Sequence, residues 1–315
     1  MPGPYPLTEP YADGLLDVGD GHRIYWQVRG NPDGRPAVVV HGGPGAGMPR
    51  GTPKAFDPQR FKTILFDQRG CGRSTPHASD LAVDMTANTT PHLLDDLERL
   101  RESLGVERWV MFGGSFGSGL ALAYAQRHPH RVSGLILPSL WLMCAADIDW
   151  LYRGGVARLF PREWDQFRRG RDGQAIPQAY VEGLADPDPV VRADCADAWT
   201  RWEDAVLSLE PGARPNFYHQ NAGPAAIAFA RICSWYAAHD NFGVGDTILD
   251  AADRLAGIPG VIIHGRHDLS CPSDRAWQLA QRWTDAELII NPDSGHQGSA
   301  SATALVYEAV DRFAD

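Results

Sequence analysis

The sequence predicts an α/β protein in which a mostly parallel sheet is flanked by helices. Strand-like apolar runs alternate with helix-like runs over most of the chain, which is typical of parallel strands joined by right-handed crossovers. The run at residues 37–40 is wholly apolar and mostly β-branched, which indicates a strand buried on both faces of a sheet. At residues 109–122 an apolar run leads through a glycine-rich turn into a helix-like run.

The individual elements follow from apolar runs and the turns that bound them. The first two strands flank the turn at 19–21, and the third follows the turn at 31–34. The predicted strands are residues 15–18, 22–28, 37–40, 61–66, 109–112, 132–137, a run that starts at 260, and 286–290. A helix is predicted from a cap at 88–90 to Arg101, because apolar residues recur at 93, 94, 97 and 100. A closing helix is predicted over 303–313.

The composition changes between residues 141 and 245. Trp, Arg and Asp become more frequent there, and buried strand-like runs are absent. The segments 161–167 and 194–203 have the pattern of helices with aromatic faces. We therefore predict a core domain formed by 1–140 and 246–315, and an inserted helical cap at 141–245. Most of the cap aromatics are expected to pack between the cap and the core, with a minority lining a pocket.

Size, charge and cysteine content exclude several classes of function. A chain of 315 residues with 43% hydrophobic content can bury a large core, and its net charge of −10 argues against non-specific nucleic-acid binding. No apolar stretch reaches membrane-spanning length, and the N-terminus lacks the features of a secretory signal. Five cysteines without framework spacing favour reduced thiols and a cytoplasmic location. The absence of CxxC and HExxH patterns makes a metal site improbable.

The glycine-rich turn has the G-x-S-x-G pattern of a nucleophile elbow, with Ser115 at its tip. Such a turn forces the serine into a strained backbone conformation, and side chains two residues away on either side would collide with it. The alternative is an ordinary glycine-rich turn that packs a helix on a strand.

A nucleophilic serine needs a base and an orienting acid, and in elbow enzymes they follow the serine in the order acid, then histidine. Asp268 and His296 each follow a late apolar strand in that order. We expect His296 to take the proton of Ser115 and Asp268 to hold the imidazole in the correct tautomer. His264 and His267 compete for the role of base.

Other polar groups near the predicted site have different expected roles. The loop at 41–47 is dense in glycine, and backbone N–H groups of Gly43 and Phe116 are predicted to form an oxyanion hole. A phosphate-binding loop is the rival interpretation, but no Gly-Lys-Ser/Thr follows. Asp67 and Arg69 are expected to form an ion pair that braces the neighbouring turn, and Asp293 competes weakly with the predicted acid.

These motifs resemble those of the proline iminopeptidases, or prolyl aminopeptidases, of the α/β-hydrolase superfamily. The resemblance runs from near residue 20 to the end of the chain. It rests on the segments 41–45, 67–78, 88–90, 113–118, 120–126, 158–161, 264–266 with Asp268, and 295–296. It implies an eight-stranded sheet with an inserted helical cap, no cofactor, and release of an N-terminal proline from peptides.

The resemblance also implies a substrate pocket. Family members hold the substrate ammonium with two cap glutamates, one of which is matched by Glu203, whereas Cys233 occupies the position of the other. Glu203 is expected either to anchor the substrate or to be a helix-surface carboxylate, and Cys233 is expected to be a pocket wall. Further substrate-binding positions implied by the resemblance are Trp141, Leu151, Ala237 and Cys271.

Three functions remain open from the sequence. The first is a serine exopeptidase that acts on an N-terminal proline or another small residue. The second is a serine hydrolase retargeted to a different small-molecule amide, ester or epoxide, as in natural-product pathways, because one ammonium-binding acid is replaced. The third is a non-catalytic binding module of the same fold. The expected partner is a small peptide or a small-molecule amide or ester, and the oligomeric state is unknown.

Overall fold

A computed structural model describes residues 4–219 and 223–314. Eight strands in this part of the chain form one sheet, in the order β1-β2-β4-β3-β5-β6-β7-β8. The strands are β1 Ala12–Gly19, β2 His22–Gly30, β3 Arg35–Val40, β4 Phe61–Phe66, β5 Trp109–Gly113, β6 Val132–Pro138, β7 Gly260–Gly265 and β8 Ala286–Asn291. β1 and β2 pair antiparallel, as do β2 and β4, and the remaining neighbours are parallel. The predicted mostly parallel sheet is confirmed.

Helices cover both faces of this sheet. The helices are α1 Thr90–Ser103, α2 Phe116–Arg127, α3 Ala145–Tyr152, α4 Pro161–Arg168, α5 Ala175–Leu184, α6 Pro189–Leu207, α7 Pro224–Ala238, α8 Asp274–Ala280 and α9 Ala300–Arg312. One apolar cluster contains the buried side chains of α1 and α2, and a second contains those of α9. Alternate residues of β3 and β5 belong to the two clusters, as expected for strands buried on both faces.

The helices α3 to α7 lie between β6 and β7 in the chain. They have an aromatic cluster of their own, in which the Phe167 ring stacks on Trp202 at 5.2 Å and on Tyr180 at 4.9 Å. This cluster lies inside the helical group, whereas the sequence predicts that most cap aromatics pack against the core. Trp235 does contact the core, because its indole N–H donates to the Asn88 carbonyl. The domain boundaries at 140/141 and 245/246 stay predictions.

The expected ion pair between Asp67 and Arg69 is wrong. The Arg69 guanidinium donates instead to both carboxylate oxygens of buried Asp96 on α1, at 2.7 and 2.8 Å. Asp67 accepts the backbone N–H groups of Met48 and Arg73. The two side chains point in different directions from the same turn. The Arg69–Asp96 ion pair therefore links this turn to α1 and does not close the turn internally.

No helix in the described parts of the chain has both the length and the apolar character needed to cross a membrane.

Candidate active site

Ser115 occupies a strained turn between β5 and α2. Its φ of 55° and ψ of −130° are unfavourable for a residue with a side chain. A Cβ on Gly113 would lie 2.3 Å from the Gly117 carbonyl oxygen, and one on Gly117 would lie 2.2 Å from the Val40 carbonyl oxygen. Both positions therefore require glycine, and the turn has the predicted geometry of a nucleophile elbow.

Asp268 and His296 come together from the loops after β7 and β8. The Nδ1 atom of His296 lies 2.9 Å from the Oδ2 atom of Asp268, while Oδ1 accepts the Cys271 backbone N–H. With Asp268 ionised, Nδ1 carries the hydrogen and Nε2 is the nitrogen that can accept a proton. Burial opposes the charged imidazole, but Asp268 and the Cys271 thiol outweigh it, so the pKa of His296 is raised well above its usual value.

Ser115 and His296 line the same cavity, which has a volume of about 570 Å³. We refer to this cavity as the cleft. No hydrogen bond between described residues joins the Ser115 hydroxyl to the imidazole. Catalytic hydrogen bonds are often long in unliganded sites and tighten when substrate binds. The shared cavity therefore places the two groups where a substrate could contact both.

The predicted oxyanion groups lie around the same serine. A Cβ on Gly42 would come within 3.1 Å of the Ser115 Cβ, so the backbone of the glycine loop passes directly beside the serine. Gly43 has a φ of 114°, and Phe116 is the first residue of α2. Neither the Gly43 N–H nor the Phe116 N–H donates to another described residue. Both are available to a negatively charged oxygen.

Glu203 is buried, which excludes the helix-surface alternative. Its side chain lies on α6, the residue is 4% exposed, and its carboxylate accepts the Tyr152 hydroxyl at 2.5 Å. Burial raises the pKa of Glu203 to about 7, although the Tyr152 hydrogen bond and the His296 charge act in the opposite direction. A buried carboxylate is thus close enough to the imidazole for their charges to interact.

Cys233 is on α7, and its thiol interacts electrostatically with the Glu203 carboxylate on α6. Its thiol donates to the Pro44 carbonyl at 3.2 Å, in the glycine loop. Burial and the neighbouring Glu203 raise the pKa of Cys233 well above its usual value, so the group stays a neutral thiol. The expected role of Cys233 as a pocket wall stays a prediction. Tyr218, which sequence reasoning did not select, also interacts electrostatically with Glu203.

The other predicted pocket positions are all buried. Trp141 lies beside Phe116, with ring centroids 6.2 Å apart, and Cys271 lies beside the imidazole of His296. Leu151 and Ala237 belong to the larger apolar core cluster, and their carbonyls accept the Trp202 indole N–H and an Arg153 N–H. The substrate roles of these four residues stay predictions.

Glu210 is a site residue that sequence reasoning missed. It follows α6, and its two carboxylate oxygens accept the backbone N–H groups of His296 at 2.7 Å and Gln297 at 3.0 Å. The Glu210 side chain packs closely against the backbone of Gly295, since a Cβ on Gly295 would lie 2.3 Å from the Glu210 Cδ. A glutamate in a loop has no distinguishing pattern, and the glycine before His296 is the only local signal of this contact.

The competing residues are placed elsewhere. His264 uses both ring nitrogens, since Nδ1 accepts the Leu140 N–H and Nε2 donates to the Cys271 carbonyl. His267 and Asp293 are exposed. None of the three takes the place of His296 or Asp268 in the observed pair.

Within residues 4–219 and 223–314, two groups of residues bring together the atom types that bind metals. They are His41 with Asp67 and Cys71, and Asp268 with Cys271 and His296. Burial raises the pKa of both thiols, and a metal would need the thiolate. The donor sets thus fit a metal poorly.

Known proteins resemble this chain in both sequence and fold. A family model described as the alpha/beta hydrolase fold matches residues 36–182. A proline iminopeptidase of Arabidopsis thaliana is 41% identical over 300 residues, covering 94% of this chain and 77% of the relative. One from Xylella fastidiosa is 42% identical, covering 93% of each chain. The chain belongs to the proline iminopeptidase family. It is accordingly an enzyme, a serine hydrolase of the α/β-hydrolase fold.

More distant solved structures share the fold. A proline iminopeptidase from Mycobacterium smegmatis is 19% identical, with a TM-score of 0.55, and covers 96% of this chain and 99% of its own. An α/β hydrolase from a deep-sea metagenome library is 16% identical, with a TM-score of 0.63, and covers 95% of this chain and 97% of its own. The predicted family and fold class are confirmed.

Proposed function

We propose that this enzyme releases a proline-like N-terminal residue from peptides through a Ser115–His296–Asp268 triad and an acyl-enzyme. The observation that supports this function most directly is the buried Glu203 carboxylate, which accepts the Tyr152 hydroxyl and whose charge interacts with that of His296. A general esterase has no need for a buried negative charge there, whereas an aminopeptidase must bind the ammonium group next to the bond that it cleaves. The 40% identity to named iminopeptidases supports the same substrate class.

In the proposed first step, His296 Nε2 takes the hydroxyl proton of Ser115 while the oxygen attacks the carbonyl carbon. The N–H groups of Gly43 and Phe116 stabilise the negative oxygen that forms, and one such donor contributes about 3–4 kcal/mol to lowering the barrier. His296 then gives the proton to the departing amine, and the amide bond breaks. Water attacks the acyl-enzyme by the same route and releases the N-terminal residue, which regenerates Ser115.

The proposed role of Glu203 is to bind the substrate ammonium. In the free enzyme its pKa of about 7 means that the carboxylate is partly protonated at neutral pH. A bound ammonium favours the ionised form and forms a charge-assisted hydrogen bond. Such a bond is worth about 1.5–3 kcal/mol, so its loss should lower kcat/KM by about one to two decades.

A second candidate function is hydrolysis of a neutral amide, ester or epoxide. The specific observation in its favour is Cys233, a neutral thiol that donates to Pro44 where the resemblance implies a second acid. A site with a single carboxylate binds an ammonium more weakly, and a substrate without an amine avoids this loss.

Turnover of proline p-nitroanilide and of a neutral p-nitrophenyl ester separates the two functions. The proposed function predicts anilide hydrolysis that falls by about one to two decades in Glu203→Gln, while ester hydrolysis changes little. Glu182→Gln removes an exposed acid of α5 and is the matched control. Ester turnover without any anilide turnover would favour the second candidate.

A further inference from the structure

The cleft beside Ser115 lies on one side of the catalytic groups. Its walls are the turn at 51–55, the elbow, the ends of β6 and β7, the loop at 294–298 and the first half of α9, together with Arg214 and Phe217. Glu203 and Cys233 do not line it. The acid assigned to the substrate ammonium and the cleft are therefore separate places, and His296 lines the cleft while its charge interacts with Glu203. Its volume of about 570 Å³ is within the usual range for small-ligand sites.

The charge of the cleft is opposite to that of the protein. The chain has 39 acidic and 29 basic residues, yet the cleft is lined by Lys54 and Arg214 and by no Asp or Glu. Lys54 forms no ion pair with a described residue. Arg214 contacts the neutral Gln297 side chain and lies over the Phe217 ring at 5.0 Å. Both positive charges are left without a carboxylate partner in the described chain.

We propose that the cleft binds the leaving part of a short peptide, and that Lys54 and Arg214 hold its C-terminal carboxylate. This inference rests on the proposed function. The departing amine takes its proton from His296, which lines the cleft, so the rest of the peptide must extend from that point. A carboxylate a few residues away then meets the two cations. Apolar walls, including Phe217 and Val306, accept the side chains between.

Under this assignment the substrate is a zwitterionic peptide, with opposite charges at its two ends. A short peptide with free termini offers an ammonium to Glu203 and a carboxylate to Lys54 and Arg214, on either side of the bond that breaks. Peptides with a blocked C-terminus lose the second contact. Because both cations are exposed, each contributes a preference of only about two- to fivefold, which decreases as salt is added.

The experiment compares Pro-Leu-Gly with its C-terminal amide. We expect the wild type to have a kcat/KM about four- to 25-fold higher for the free acid at low salt, because the two preferences multiply. Lys54→Gln and Arg214→Gln should each lower this ratio, and the double variant should bring it close to one. Arg162→Gln removes an exposed cation of α4 outside the cleft and should keep the wild-type ratio. A wild-type ratio near one, or an unchanged ratio in the double variant, overturns the proposal.

A binding measurement keeps the proposal independent of turnover. Calorimetric titration of Ser115→Ala with Leu-Gly and with Leu-Gly amide measures the preference for a free carboxylate directly. Absence of proline p-nitroanilide hydrolysis contradicts the proposed function alone. Equal binding of the dipeptide and its amide contradicts the carboxylate site alone.

Discussion

Substitution of Glu210 by Gln tests whether the segment after α6 positions the catalytic base. The carboxylate accepts two backbone N–H groups of the histidine loop, from His296 at 2.7 Å and Gln297 at 3.0 Å. A glutamine keeps one oxygen and places an NH₂ group where the other oxygen was. One N–H group then faces a donor instead of an acceptor in a buried position.

The expected size of the effect follows from these contacts. A hydrogen bond to a charged acceptor contributes about 1.5–3 kcal/mol, which corresponds to about one to two decades if the whole loss falls on the transition state. Loss of the negative charge acts in the same direction, because the charges of Glu210 and His296 attract each other. We therefore expect kcat for proline p-nitroanilide to fall by about tenfold or more.

The assay must distinguish positioning from general destabilisation. Glu210 contacts the histidine backbone rather than the proposed ammonium site, so KM should change little, whereas Glu203→Gln should mainly raise KM. Thermal unfolding of Glu210→Gln and of the control Glu182→Gln is measured alongside. A wild-type kcat for Glu210→Gln would refute the reasoning. A fall in kcat matched by loss of folded protein at the assay temperature would show that the role is structural.

Three further predictions concern neighbouring groups. Gly295→Ala should lower kcat more than Glu210→Gln, because the new Cβ would lie 2.3 Å from the Glu210 Cδ; the same steady-state assay checks this. Activity on proline p-nitroanilide should rise with pH through about 7 and above, because Glu203 must be ionised and His296 neutral, and both groups have raised pKa values. The pH–rate profile for a neutral ester should show only the rise that is due to deprotonation of His296. Cys233→Glu should lower KM for proline p-nitroanilide by about one to two decades at high pH, where the added acid is ionised. The control Cys233→Ser should leave KM unchanged. An unchanged KM in Cys233→Glu would contradict the placement of Cys233 in the ammonium site.

The sequence predicted the sheet well because strand signals are local. The apolar run at 61–66 is bounded by turn residues, and β4 spans Phe61–Phe66. The elbow was equally accessible, because its glycines are required by contacts within a few residues of Ser115 and with β3. The Asp268–His296 pair was accessible through chain order alone, since both follow strands whose ends meet at one edge of the sheet.

The contacts that sequence reasoning missed are the long-range ones. Arg69 has an acid two residues away but pairs with Asp96, because the direction of a side chain from a turn depends on the folded backbone. Glu203 had an exposed helix position as its alternative, and only the packing of α6 against its neighbours shows that it is buried. Glu210 contacts a loop 86 residues later, and no spacing rule connects the two.

The central claim is that Ser115 attacks the first peptide bond of a substrate whose ammonium is held in the cap. Release of free proline from Pro-Leu-Gly by the wild type, Ser115→Ala and Glu203→Gln tests it most directly. We predict rapid release by the wild type, a loss of about four orders of magnitude or more in Ser115→Ala, and a loss of about one to two decades in Glu203→Gln. Proline release that persists in Ser115→Ala, or a wild type that releases none while it hydrolyses neutral esters, would contradict the account.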